Sequence, residues 1–284
     1  MSLTQPRQEG ERSGALSVPD YYDALTALAV QFQLAIHYGL WGPDTTTPEE
    51  AHRRAARTLV AGCDLRPGQR VLDSGCGVGG TAIILAEEYG VRVTGLTICE
   101  PHIAVAADQA ERRGVGHLVE FRHGDFMDLP FPDGSFDVVV NQESCCYAPD
   151  KAAYLRGVHR VLKPGGRWQS LDGYLSGKPM TRAQEELHAR MHKGCLTPPW
   201  PQAREIVTAL AEAGFEDLRE QDLTSEVLPA VEKLRNTYRF FMPWPMPASQ
   251  QKSYEGFAEA FFCFDQGVNE GVFSYNFVAG ARPT

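Results

Sequence analysis

The 284-residue chain has no CxxC pair, no excess of positive charge, and no apolar run near the roughly 20 residues that span a bilayer. Each absence excludes something. Seven cysteines is an odd number and Cys145 and Cys146 are adjacent, so the thiols read as reduced, in a cytoplasmic protein without a disulfide framework. The opening residues, MSLTQPRQEGERSG, carry no apolar signal core. Lys and Arg number 27 against 36 Asp and Glu, a formal net charge of −9. That balance argues against nucleic acid or an anionic membrane as the main partner. A hydrophobic fraction of 43% supports a sizeable core, in one large domain or a domain with an elaborated cap.

The chain is organised around Val71–Thr81, VLDSGCGVGGT. A short apolar run ends in Asp73, glycines follow at 75, 77, 79 and 80, and TAIILAEEY then shows helical spacing. This predicts strand, tight glycine turn and helix, with amides aimed at whatever approaches the turn. GxGxG after an acidic residue suits S-adenosylmethionine, GxGxxG suits a dinucleotide, and a plain strand-to-helix turn is the third reading.

From Leu65 strands and helices alternate. Strands are predicted at Arg70–Asp73, Val91–Thr97, Leu118–Arg122, Asp133–Asn141 and Arg167–Asp172, and helices at Thr81–Tyr89, Pro101–Arg113 and Asp150–Leu162, the last ended by Lys163-Pro164-Gly165-Gly166. That rhythm implies an α/β fold, a doubly wound parallel sheet whose ligands sit at the carboxyl ends of the strands. Those ends carry Asp73, Thr97, Asp125, Asn141, Glu143 and Asp172.

VLDSGCGVGG, VTGLT, GDFMDLPFPDGSFDVV and LKPGG, in this order, resemble the class I S-adenosylmethionine-dependent methyltransferases over Leu65–Tyr174, and FSYNFVAGAR resembles their final antiparallel strand. The resemblance implies a Rossmann-like sheet that binds S-adenosylmethionine. It gives the methionine part to Asp73, Gly75, Gly77 and Gly79, the ribose to Thr97, and adenine to Asp125 and Phe126, with Asn141 joining this set. Gly95–His102 departs from the usual acidic ribose contact and is similar to the GxTxSxxQ stretch of sterol and cyclopropane-type C-methyltransferases, with Cys99 for Ser and His102 for Gln; Glu100 is the fallback. ESCCYAP, Glu143–Pro149, resembles EATCHAP of the sterol enzymes, with Tyr147 for His, and HYGLW, His37–Trp41, resembles their aromatic entry segment. The nearest likeness is to the bacterial C-methyltransferases that act on prenyl groups, including those of teleocidin-type indole terpenoids.

That likeness implies methyl transfer to an alkene carbon of a hydrophobic prenylated or terpenoid acceptor, with cation-driven cyclisation to follow. An O- or N-methyltransferase is the alternative, and a non-catalytic binding protein is the third. The expected organisation is a disordered arm (1–16), a helical lid (17–62), the cofactor core (63–174), a cap for the acceptor (175–246), and a final helix and strand (247–284). Tyr22, Tyr38, Trp41, Tyr147, Trp200, Phe241 and Trp244 are the candidate acceptor walls, each with ordinary core packing as the alternative. Tyr21, on a stripe with Leu25, Leu28 and Phe32, is the candidate lid tyrosine, over its own site or that of a neighbouring copy in a homo-oligomer. Glu143, Asp172, His188 and His192 are candidate bases. His188 and His192 are four apart on one helix face, but no third ligand accompanies them, so no metal is expected.

Overall fold

A computed structural model describes residues 16–32, 37–241 and 248–284, with side chains described outside 27–32, 237–241 and 248–249. One sheet holds β1 (Arg70–Ser74), β2 (Arg92–Thr97), β3 (Val119–His123), β4 (Phe136–Gln142), β5 (Leu162–Leu175), β6 (Glu216–Asp222) and β7 (Phe273–Ala281), in the order β3-β2-β1-β4-β5-β7-β6. The first five are parallel; β7 runs antiparallel to both β5 and β6. The order reverses between β1 and β4, which opens a crevice at their carboxyl ends.

β1 buries the adjacent Val71 and Leu72, and β4 buries Val138–Val140, because both faces of the sheet are covered. Val71 and Val140 enter one core cluster and their neighbours Leu72 and Val139 the other. Helices α3 (Gly80–Tyr89), α4 (Glu100–Arg112) and α5 (Lys151–Val161) make the crossovers, and α2 (Pro48–Leu59) packs on α3. Thr47 and Glu50 form the capping box expected for α2. Helices α1 (Val18–Phe32), α6 (Arg182–Cys195) and α8 (Thr224–Phe241) pack on the long α9 (Ala248–Asn269).

Two expectations need correction. The described part of the expected cap, residues 175–241, is not separate from the core, because α7 (Ala203–Glu212) packs on α5 and β6, and β6 pairs with β7 at the sheet edge. The helix before Lys163–Gly166 ends at Val161, next to the expected Leu162, but β5 starts at Leu162 rather than at Arg167, so Lys163–Gly166 belongs to the strand, with a register irregularity opposite Phe136 and Val138 and Gly165 at φ +75°. No described helix is long and apolar enough to cross a membrane.

The α6–α9 contact is close because both helices present glycine. A Cβ at Gly194 would lie 2.6 Å from the carbonyl oxygen of Gly256. Gly194→Ala is therefore expected to lower the unfolding free energy by about 1–3 kcal/mol through overpacking. Urea titration checks this, and an unchanged midpoint would mean the two helices are not in contact.

Candidate active site

β1 ends at Ser74 and the backbone turns through Gly75 (φ +95°) and Gly77 (φ +51°) to Gly79 (φ +87°), which caps α3. The glycines do different work. A Cβ at Gly75 would lie 2.5 Å from the Cβ of Ser144, and one at Gly79 would meet Phe121 and Ala106 at 2.8–2.9 Å, so these two serve close packing. A Cβ at Gly77 would meet nothing within 4 Å. Beside it lies a cavity of about 240 Å³. Its floor is Gly75–Val78, Gly80, Thr97, Ile98, His102, Asp125 and Phe126; Val18, Tyr22 and His37 cover it; Gln142, Glu143, Tyr147, Pro149 and Leu196 form the far wall.

The floor has hydrogen-bonding capacity to spare. One Asp125 oxygen accepts from the Met127 amide at 2.8 Å and leaves the other available. Thr26 Oγ1 gives its proton to Tyr22 O at 2.7 Å, so it accepts from His102 Nε2, also at 2.7 Å. This leaves the buried Nδ1 of His102 as an unpartnered acceptor. Asp73 is buried behind the glycine loop, its oxygens lack partners of good geometry, and burial pushes its pKa up to about 7, against the Ala82 amide. Orphaned acceptors beside an open glycine turn fit a ligand that brings donors and positive charge, as S-adenosylmethionine does.

Over the cavity α1 is fastened at two points. His102 holds Thr26, and the Tyr22 and Tyr147 hydroxyls meet at 2.8 Å, the latter also donating to Cys195 O at 3.0 Å. Both phenols are held well above the usual tyrosine range by burial. Glu143 sits at φ +50°; its Oε1 accepts from the Tyr38 amide and from the Tyr275 hydroxyl, each at 2.8 Å. Burial raises its pKa to about 8, with Asp172 adding to the rise.

Several expected residues face elsewhere. Tyr21 is turned into the core against Phe257; Tyr22, one position on, lines the cavity. The apolar stripe that selected Tyr21 is the buried face of α1. Asn141 is buried and its side-chain amide is bonded to Ser74 O, Ser144 Oγ, Tyr154 and Trp168, which uses both its donors and both its acceptor positions. Asp172 accepts from the Cys146 and Gly173 amides and pins the loop beneath Tyr147, its pKa raised to about 6 by burial. His188 accepts from the Trp200 amide at 3.1 Å, away from the cavity, and burial lowers its pKa to about 4. Trp200 packs on Phe264 and Phe273, Tyr38 stacks on Phe264, and Trp41 receives the Lys233 ammonium on its ring; none lines the cavity. Phe241, as a side chain, and Trp244 lie outside the described residues. Among the described residues no group of His, Cys, Asp or Glu is arranged to hold a metal ion.

Sequence reasoning passed over His37, Leu196 and Tyr275. Tyr275 is a buried tyrosine in an apolar strand, whose hydroxyl requires a partner. His37 Nδ1 lies 2.8 Å from Tyr38 O and so carries the proton, leaving Nε2 to accept from Thr81 Oγ1 at 3.3 Å; burial lowers its pKa to about 3.

Residues 72–168 match the methyltransferase-domain family model. The chain is 36% identical over 211 residues to the 27-O-demethylrifamycin SV methyltransferase of Amycolatopsis mediterranei (strain S699), covering 74% of this chain and 77% of that one. It is 34% identical over 203 residues to the sterol 24-C-methyltransferase erg6 of Aspergillus fumigatus, covering 69% and 53%. Of the solved structures, that of the (4+2)-cyclase SpnF is similar in fold, with a TM-score of 0.80 and 24% identity over 95% of this chain and 98% of that one.

Gly77→Val places a branched side chain in the open space beside the turn. It is expected to weaken S-adenosylmethionine binding at least about tenfold, about 1.4 kcal/mol. Calorimetric titration reads this directly, and wild-type affinity would move the cofactor away from Gly77.

Proposed function

Because the chain belongs to the class I S-adenosylmethionine-dependent methyltransferases, we propose that it transfers methyl to an alkene carbon of a prenylated, indole-type natural product. The observation that carries this reading is the cover and far wall of the cavity: the half-buried phenols of Tyr22 above and Tyr147 beside it, apolar Pro149 and Leu196, and Glu143 as the one carboxyl of that wall. An electron-rich alkene suits such a wall because it needs no deprotonation before it reacts. Bound S-adenosylmethionine supplies an electrophilic methyl on a sulfonium, so the protein's task is alignment and exclusion of water.

In this reading Gly77, Thr97, His102, Asp125 and Phe126 hold the cofactor. Tyr22 and Tyr147 close the cavity and turn their ring faces and oxygens toward the positive charge left on the acceptor carbon. Glu143 takes the proton whose loss ends the reaction, unless the indole ring attacks the cationic carbon first and closes a ring. Proton loss returns the C–H electron pair to the carbon skeleton as a new alkene; ring closure spends ring π electrons, moves the positive charge onto the ring, and ends in loss of a ring proton.

A second reading is favoured by one finding, the likeness to an O-methyltransferase of rifamycin maturation. There Glu143 would deprotonate a hydroxyl acceptor. Incubation with 7-geranylindole and with a set of natural-product phenols separates the two. A new carbon-bound methyl in the NMR spectrum supports the first reading. Methylation only at oxygen sinks it.

Glu143 also gives a pH dependence. With a pKa near 8 the carboxyl carries its proton at neutral pH, so proton acceptance by Glu143 strengthens as pH rises through about 8. Turnover is expected to follow that rise, and Glu143→Gln to remove it, with kcat falling about a hundredfold or more. The stability sign is opposite to that of a salt-bridged carboxylate. A pKa raised above the ordinary glutamate value of 4.5 gives stability that is full below pH 4.5 and lost as pH rises through about 8. Glu143→Gln should therefore melt higher than wild type at pH 8.5. A variant that keeps the pH rise, or melts lower there, removes Glu143 from this role.

A further inference from the structure

Four described residues other than glycine have positive φ: Asp64, Glu143, Leu196 and Asp217. Aspartate tolerates this region through its short polar side chain. Glu143 and Leu196 have no such excuse, and both line the cavity. Glu143 is held by Tyr38 and Tyr275, as described. Leu196 has no polar group to hold it, so its backbone must be fixed by its neighbours.

It is fixed from several sides. Leu196, at φ 60° and ψ 29°, stands just beyond α6, where helices commonly place glycine. Its amide donates to Lys193 O at 3.4 Å and the Thr197 amide to His192 O at 3.0 Å, the paired bonds of a Schellman ending. Two residues back, Gly194 is pressed against the Gly256 backbone; one residue back, Cys195 O accepts from Tyr147. Glycine at 196 would meet all these constraints without a Cβ penalty. The protein instead has a branched apolar side chain there, on the wall shared with Tyr147 and Pro149. Strain retained at a cavity wall, where the least strained residue would leave the wall open, points to a use for the side chain.

We propose that Leu196 is a specificity-determining residue: its isobutyl group is the stop that sets how long an apolar tail the acceptor extends past the phenol pair. This rests on the reading that the far wall receives an apolar acceptor. It does not depend on whether carbon or oxygen takes the methyl.

The test uses indoles bearing a dimethylallyl, geranyl or farnesyl group at one ring position, and phenols bearing the same three groups. Their kcat/KM values are compared in the wild type, Leu196→Ala and Leu196→Gly. Both variants should shift preference toward the next longer group by about tenfold or more, the scale on which apolar pockets discriminate added carbons. KM for S-adenosylmethionine should stay put. Calorimetric titration of the same compounds into the S-adenosylhomocysteine complex gives the same ratios whether or not turnover occurs. Leu196→Gly should also melt no lower than Leu196→Ala, since only glycine relieves the left-handed backbone. Methylation of phenols alone would overturn the alkene reading and leave the length ratios decisive for Leu196. Ratios unchanged in both variants, or an alanine variant more stable than the glycine one, would overturn the proposal.

Discussion

The cavity depends on the hydrogen bonds of one buried side group, the amide of Asn141. Its nitrogen donates to Ser74 O at 2.8 Å and Ser144 Oγ at 2.9 Å; its oxygen receives the Tyr154 hydroxyl at 2.6 Å and the Trp168 indole at 2.7 Å. These are the end of β1, the loop after β4, helix α5 and strand β5. Ser144 Oγ donates a second bond to Ser74 O at 2.6 Å. So the residue before the glycine turn and the residue after Glu143 are fixed to each other through one amide. Deep burial makes any broken member of such a network costly, which is why it sets geometry so firmly. The close approach of Ser144 to Gly75 follows from it, and only glycine fits there.

The covering helix is attached by other means. Among the described residues its polar contacts include the Tyr22–Tyr147 hydroxyl pair, the Thr26–His102 bond and the Cys99 thiol against Pro19 O, with Tyr21 and Leu25 supplying buried apolar surface. Two neutral hydrogen bonds are worth on the order of 1 kcal/mol each, and the burial of Tyr21 and Leu25 adds about 1.5–3 kcal/mol for each side chain fully removed from water, so the core face of the helix holds it more than its polar contacts do.

The sequence showed most clearly what is local. The glycine turn, its flanking strand and helix, the α/β rhythm and the α2 capping box depend on residues a few positions apart, and all appear where the pattern puts them. Contacts between distant residues left no such trace. Tyr275 is 132 residues from Glu143 and Tyr22 is 125 from Tyr147. Polar and aromatic residues mark a site in sequence only when packing leaves them free. Asn141 and Asp172 at strand ends, His188 on α6 and Trp200 between prolines are engaged in buried hydrogen bonds and packing. The stripe that Tyr21 shares with Leu25 is the face of α1 toward the core, and the cavity lies around the helix at Tyr22.

The electrostatics of the carboxyl edge follow from these positions. At the strand ends burial raises Asp73, Glu143 and Asp172, to about 7, 8 and 6, and Asp172 adds to the rise of Glu143. Asp172 finds two amide donors and has the smallest rise above a shared aspartate reference; Asp73, with no partner of good geometry, rises further. Each buried position resists carrying a negative charge. Glu143, the one of the three that lines the cavity, favours a ligand that brings positive charge, because its carboxylate then regains as a charge partner what it lost in hydration. S-adenosylmethionine carries such charge on its sulfonium and ammonium groups.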